Sequence, residues 1–340
     1  MKQITYGSLF SGAGGFDLGC DAAGWDCRWQ VEWEPIPRSV LERHWPNVPK
    51  YRDVSDVNGA EIEPVDVITF GFPCQDMTMA HARRAGSAGG RKGMNGKRSV
   101  LFFEAARIIQ EMRIATNGEF PKVAIAENVR GLLTANNREA MGLCLDSLAN
   151  LGALAIEWRV LDARGFGVAQ RRQRVFLAAI FDPRAASRGK LFYESSDSEA
   201  DTPIALNIHK PSGEQHVARH RPDRIHGEAG LRKQQSDSIS TIDTAFLGFQ
   251  CQVDVGYIGT LLTTMQHAMY SPEIGMRRPT PLEAERMQGW PDNHTKWNAE
   301  GEEIKAVGRY KMCGNGVASP VAEYVANCVS RVLTDWEVPG

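Results

Sequence analysis

Cys74 stands in Gly71-Phe72-Pro73-Cys74-Gln75, directly after the apolar run Val65-Asp66-Val67-Ile68-Thr69-Phe70. A strand that meets Gly and then Pro ends there. It presents the next side chain at its carboxyl end, where open α/β sheets bind ligands. Pro73 has no N–H and a fixed φ, so the turn holds Cys74 in one direction. A helix starting just beyond would favour the thiolate through its dipole. The chemistry on offer is nucleophilic attack by sulfur. The ordinary alternative, a small buried apolar thiol, is the default for a lone cysteine, and the neighbouring motifs reverse it.

A second group is the turn Phe10-Ser11-Gly12-Ala13-Gly14-Gly15, set between an apolar strand and a helix. Glycines there let the backbone approach a ligand closely, as in a nucleotide cradle. Glu32 ends the next strand, where an acid can hold ribose hydroxyls, and Trp33 beside it can stack on an adenine. Taken alone this cradle fits an NAD enzyme as well. No Gly-Lys-Ser/Thr follows, which argues against a phosphate-gripping P-loop. The spacing Gly-x-Gly-Gly departs from Gly-x-Gly-x-x-Gly and favours S-adenosylmethionine over a dinucleotide.

The elements that must position these groups alternate. Strands are expected at residues 4–10, 28–32, 65–70, 123–126, 155–161 and 175–180. Helices are expected at 16–23, 37–44, 100–112 and 137–151. Such alternation implies an α/β fold with a doubly wound, mostly parallel sheet. At Asp182-Pro183 the composition shifts, and to about Gly275 the chain is rich in Ser, Asp, Gln, His and Arg without helical periodicity. This stretch reads as a smaller domain of irregular or β structure. Helical patterns return at 281–288 and 317–333, the last expected to pack back on the first domain. The division is therefore 1–183, 184–276 and a C-terminal return at 277–340.

Composition narrows the class. The chain has 340 residues, 42% hydrophobic and 24% charged, which fits a soluble globular protein larger than one typical domain. No apolar run is long enough to span a membrane, and the start Met1-Lys2-Gln3-Ile4-Thr5 lacks a signal-peptide pattern, so no membrane association is expected. Seven cysteines without a Cys-x-x-Cys pair argue for a reducing compartment and against a disulfide framework or a zinc site; no metal is expected. With a net charge of −2, any nucleic-acid surface must be a local patch.

The ordered set Phe10–Gly15, Glu32-Trp33, Asp53, Gly71–Gln75, Glu127-Asn128-Val129, Gln170-Arg171-Arg172-Gln173-Arg174, Arg278-Pro279-Thr280 and Gly314-Asn315-Gly316-Val317 closely resembles the C5-cytosine-specific DNA methyltransferases, over nearly the whole chain. The resemblance implies a class I methyltransferase-like Rossmann variant with a target-recognition domain at 184–276. Its reaction explains the residue types. Cytosine C5 is a poor nucleophile until a thiolate adds at C6 and gives the ring enamine character. Cys74 is the expected thiolate. Glu127, closing the buried strand Val123-Ala124-Ile125-Ala126, matches the acid that faces N3, and enclosure would raise its pKa so that it can donate a proton. Arg171, Arg172 and Arg174 would ordinarily read as a solvated face. By resemblance Arg172 and Arg174 instead hold the cytosine carbonyl and the adjacent phosphate and orient Glu127, a task suited to a planar fork.

The resemblance places S-adenosylmethionine against Phe10, Gly12, Gly14, Gly15, Glu32, Trp33 and Asp53, with Pro73, Leu101, Asn315 and Val317 completing the pocket. The family usually has an aromatic and a Ser after Pro-Cys-Gln, where this chain has Asp76-Met77-Thr78. A cytosine in a duplex must be flipped out to be reached. Residues 81–98 follow with many glycines, several cations and no acid, which suits a lid that orders on phosphates. Arg83, Arg84, Arg91, Lys92 and Arg98 are its expected DNA contacts, joined by Arg219 and Arg221 in the basic stretch that continues to Arg224, Arg232 and Lys233. Thr260-Leu261 resembles the family's Thr-Leu element near the target base.

The expected function is sequence-specific DNA (cytosine-5-)-methylation of double-stranded DNA in the cytoplasm of a prokaryotic or phage-infected cell. A monomer is expected. The resemblance allows a cognate restriction endonuclease as partner, protection of a phage genome, or solitary work. Two alternatives stay open: a transfer-RNA cytosine-5 methyltransferase, disfavoured by the sizeable variable domain, and a catalytically silent DNA-binding regulator, disfavoured by the intact Cys74, Glu127 and Arg174. An NAD oxidoreductase would leave Pro-Cys-Gln and the basic loop unexplained.

Overall fold

The computed structural model of the chain describes residues 3–72, 101–192, 204–207, 240–243, 252–255, 258–263, 268–271 and 275–334. The first body is built from β1 (Thr5–Leu9), α1 (Gly15–Ala22), β2 (Asp26–Val31), α2 (Pro35–His44), β3 (Lys50–Tyr51), β4 (Val67–Gly71), α3 (Leu101–Ala115), β5 (Val123–Val129), α4 (Glu139–Asn150), β6 (Ala155–Asp162), β7 (Gln173–Ile180), α5 (Pro183–Ser187) and β8 (Ile204–Asn207). Its strands form one sheet in the order β3-β2-β1-β4-β5-β7-β6-β8.

Strands β1 to β5 pair in parallel, whereas β7 runs antiparallel to both β5 and β6, and β8 antiparallel to β6. The mostly parallel expectation holds, and the exception has a simple cause. Parallel neighbours need a long crossover, usually a helix, and the link 163–172 between β6 and β7 is too short for one. It carries only a single 3₁₀ turn, Ala163–Phe166.

Both sheet faces are covered, which is why β4 and β5 read as continuous apolar runs instead of alternating ones. On one face Phe70, Phe102, Ile108, Met112, Cys144 and Leu177 pack under α3 and α4. On the other, Tyr6, Phe16, Ile125, Phe176, Val321 and Val325 pack under α1 and the C-terminal α8 (Ser319–Leu333). Gly19 lets α1 and α8 approach, since a Cβ there would lie 2.5 Å from the Ala322 Cβ. Leu191 and Phe192 are fully buried in the same cluster, so the chain beyond residue 183 still contributes to this core.

A second, antiparallel sheet orders β9 (Ser240–Asp243), β10 (Gln252–Val255), β11 (Ala268–Ser271) and β12 (Gly275–Arg277) as β10-β9-β11-β12. Then follow α6 (Pro281–Met287) and α7 (Ala306–Asn315) before α8. Helix α6 opens with a capping box between Thr280 and Glu283. Helix α7 was not expected from sequence, because Gly308 and Gly314 interrupt its pattern. No helix among the described residues is long and apolar enough to cross a membrane.

Candidate active site

Three strand ends, those of β4, β5 and β7, meet around Glu127. In the β5–β7 ladder Val129 faces Arg174 and Glu127 faces Phe176, so period-two alternation puts Glu127 and Arg174 on one face as diagonal neighbours. Arg174 Nε lies 3.0 Å from Glu127 Oε1. Both side chains are largely buried, and burial raises the Glu127 pKa although Arg174 and Arg172 oppose it. Glu127 can therefore hold a proton closer to neutrality than an ordinary carboxyl. The end of β4 is tied to the same place: Phe72 N–H donates to Glu127 O at 3.4 Å, and Asn128 Nδ2 donates to Phe72 O at 2.7 Å. Gly71 leaves room beside the carboxylate, with its would-be Cβ 3.5 Å from Glu127 Oε2. Cys74 and Pro73 follow immediately but lie outside the described residues, as do Arg83, Arg84, Arg91, Lys92, Arg98, Arg219 and Arg221.

Arg172 is spent differently from Arg174. It is buried, and its guanidinium donates to Gly314 O (3.0 Å), Gly316 O (2.7 Å) and Leu261 O (3.4 Å). The first two carbonyls lie at the carboxyl end of α7, where the helix dipole favours a cation. Burial lowers the Arg172 pKa, with Arg174 adding to the effect. Thr260-Leu261 lies along the same segment: Thr260 Oγ1 donates to Arg171 O at 2.9 Å, and Leu261 N–H donates to Gln170 Oε1 at 2.9 Å. Gln170 is fully buried and also donates to Met287 O at 2.9 Å. Sequence reasoning named Gln170 and Asn128 only as parts of motifs. Their holding roles depend on partners far away in sequence and carry no local signature.

At the glycine-rich turn, Phe10 takes a left-handed φ of 56°, uncommon for a bulky residue and of the kind found at ligand clamps. Gly12 and Gly14 follow with φ of 58° and 86°. The three glycines of the turn serve different ends. A Cβ on Gly12 would meet nothing within 4 Å, one on Gly14 would strike the Trp45 ring at 2.5 Å, and one on Gly15 would lie 2.5 Å from Val317 O. The turn is thus packed behind and open in front. Glu32 comes one residue after β2, buried, with Oε2 accepting from Gly12 N–H and Oε1 from Glu34 N–H, both at 2.7 Å. Burial raises its pKa while these two bonds oppose the rise.

Trp33 is 54% exposed, with the Arg52 guanidinium 4.7 Å from its ring centre. A half-exposed aromatic ring, a buried carboxylate one residue before it and an open glycine turn thus border one stretch of surface. The remaining predicted residues are less directly engaged. Asp53 Oδ1 caps the turn Val54–Asp56 by accepting from Ser55 N–H at 3.0 Å. Leu101 starts α3 and packs on the core, Asn315 is exposed at the end of α7, and Val317 is buried against Gly15.

The sequence profile described as C-5 cytosine-specific DNA methylase matches residues 4–331. The type II methyltransferase M2.BsuMI of Bacillus subtilis is 29% identical over 99% of this chain and 78% of its own. The type II methyltransferase M.HhaI of Haemophilus parahaemolyticus is 25% identical over 98% and 97%. Among solved structures, the Dnmt2 methyltransferase of S. pombe superposes with a TM-score of 0.61 at 14% identity, covering 98% of this chain and 99% of that one. That likeness concerns the fold alone. The profile match over nearly the entire length shows that the chain belongs to the C-5 cytosine-specific DNA methylase family.

Proposed function

We propose that Cys74, Glu127 and Arg174 carry out, on a cytosine flipped from duplex DNA, the methyl transfer to C5 that defines the family. The observation that carries this assignment is the buried Glu127–Arg174 pair, joined through Phe72 and Asn128 to the chain two residues before Cys74. The Cys74 thiolate adds to C6, forming a C–S bond and pushing electron density towards C5 and N3. Glu127, whose pKa burial raises, donates a proton to N3 and compensates the charge. Arg174 orients that carboxyl and presents donors to the O2 carbonyl. Once C5 carries the methyl group, loss of the C5 proton to water and return of the N3 proton to Glu127 expel Cys74 as thiolate and restore the aromatic ring.

S-adenosylmethionine, when bound, supplies the electrophilic methyl group. Phe10, Gly12, Gly14, Gly15, Glu32 and Trp33 would hold it, with Asp53, Pro73, Leu101, Asn315 and Val317 at the margins. Opening of the turn at Gly12 and exposure of Trp33 support this reading. Residues 1–183 and 277–340 would form the catalytic domain and 184–276 the target-recognition domain, a division supported by the separate antiparallel sheet between Ser240 and Arg277, with β8, Leu191 and Phe192 joining the first sheet and its core. Arg83, Arg84, Arg91, Lys92, Arg98, Arg219, Arg221 and Thr260 would contact DNA. The protein would act as a monomer in a prokaryotic cytoplasm, whether solitary, phage-borne or paired with a restriction endonuclease.

The test is methyl transfer from labelled S-adenosylmethionine to mixed genomic DNA, with transfer RNA alongside, followed by base-resolved sequencing. Label at one recurring short DNA sequence is expected, with none for Cys74→Ser. That variant should keep DNA affinity within about tenfold, since the thiol is not a phosphate contact. Label in RNA alone would overturn the choice of substrate, and none in either would leave a silent DNA binder.

A further inference from the structure

His294 has no part in the chemistry above, yet it is buried, only 2% exposed. Its Nε2 lies 2.7 Å from the carbonyl oxygen of Ala13, between Gly12 and Gly14 in the glycine-rich turn. A carbonyl only accepts, so the proton sits on Nε2 and the ring donates. Nδ1 has no hydrogen-bond partner among the described residues. The ring stacks on His44 with centroids 4.2 Å apart, and His44 Nε2 in turn donates to the His294 carbonyl at 2.8 Å. Trp290 and Trp45 close its flanks edge-on at 5.5 and 6.1 Å.

A phenylalanine would fill this aromatic slot without burying an unpartnered nitrogen, which itself disfavours folding. What the histidine adds is one donor, aimed at Ala13. Gly14 N–H is already held by Ser11 O at 2.9 Å. With the Ala13 carbonyl also drawn inward, the Ala13–Gly14 peptide is held at both its N–H and its carbonyl, in the shape that leaves Gly12 facing open space. The relay from α2 through His44 and His294 to Ala13 thus fastens the turn from behind.

We propose that His294 is a positioning residue that preorganises the glycine-rich turn for S-adenosylmethionine. This rests on the placing of the cofactor at that turn. Burial, with His44 beside it, pushes the His294 pKa down to about 4, so the ring stays neutral under working conditions.

The experiment is calorimetric titration of the full chain with S-adenosylhomocysteine, comparing wild type with His294→Phe, His294→Gln and Trp33→Ala. His294→Phe keeps the packing and loses the donor, and should bind about tenfold more weakly, the equivalent of one buried hydrogen bond. His294→Gln keeps a donor near Nε2 and should stay within about threefold of wild type. Affinity for DNA, read separately, should not move in either. Loss in Trp33→Ala with wild-type affinity in His294→Phe would overturn the role of His294 and leave the cofactor site standing. Equal losses in the Phe and Gln variants would show that a donor at this position does not restore binding, and would overturn it too. Unchanged binding in all three would remove the cofactor from this turn, and the positioning role with it.

Discussion

Replacing Arg174 by alanine probes the base-side pair through both stability and turnover. Arg174 Nε and Glu127 Oε1 are 3.0 Å apart, with side chains 13% and 11% exposed. Removing one partner of a buried pair costs about 3–5 kcal/mol, because the other charge stays behind. The residual exposure sets this pair near the lower end, about 3 kcal/mol. Burial already raises the Glu127 pKa against the pull of Arg174 and Arg172, and without Arg174 it rises further. A carboxyl whose folded-state pKa is raised binds its proton more tightly folded than unfolded. Its contribution to folding is complete below the unfolded pKa and is lost as pH rises through the folded one. The penalty of Arg174→Ala is therefore small near the ordinary Glu pKa of about 4.3 and grows towards alkaline pH. Thermal unfolding at about pH 8 should show a Tm lowered by roughly 5 °C, and a clearly smaller gap at about pH 5. Turnover should fall by about 10²–10³, the usual loss for one donor aimed at developing charge. Cofactor affinity should change less than about threefold, since Arg174 contributes no contact to the glycine turn. A Tm gap that does not vary with pH, or a kcat within about threefold of wild type, would refute the pairing.

Two further outcomes follow from the geometry. Asn128→Ala removes the side-chain donor to Phe72 O and loosens the approach to Cys74, so kcat should drop by about tenfold with the KM for S-adenosylmethionine unchanged; steady-state kinetics with each substrate varied decides it, and an unaltered kcat would remove Asn128 from the support of the nucleophile. Gly15→Ala drives a methyl group to 2.5 Å from Val317 O and 2.8 Å from Val317 N, so it should cost about 1–3 kcal/mol in denaturant unfolding and weaken cofactor binding. Wild-type stability in that variant would mean that the C-terminal return is not pressed against the turn.

Much of the architecture was legible in the sequence because strands that end in Gly or Pro, and helices that start after glycine turns, announce themselves locally. The Cys74 strand, the Gly12–Gly15 turn and the acid after β2 were readable for that reason. The limits were set by long-range geometry. The run Arg171, Arg172 and Arg174 looks like one cationic cluster, yet the fold leaves Arg171 exposed, sends Arg172 to the end of α7 and pairs Arg174 with Glu127. Nothing local marks Gln170, Asn128 or His294 as structural donors, because each finds its partner in a distant segment. The same is true of the buried Glu285–Arg309 pair, 2.8 Å apart, which joins α6 to a helix disguised by its glycines. The reversal of β7 was implicit in the missing helix between two strands, a signal carried by what the link lacks.

The most direct test of the covalent chemistry uses duplex DNA of mixed sequence in which every cytosine is 5-fluorocytosine. Fluorine at C5 cannot leave as a proton does, so a methylated adduct stays bonded to the sulfur that attacked C6. After incubation with S-adenosylmethionine and proteolysis, mass spectrometry should find the modified base on the peptide that contains Cys74, and no adduct with Cys74→Ser. An adduct on Cys20, Cys27, Cys144, Cys251, Cys313 or Cys328, or none at all from a protein that still methylates ordinary DNA, would contradict the assignment of Cys74 as the nucleophile.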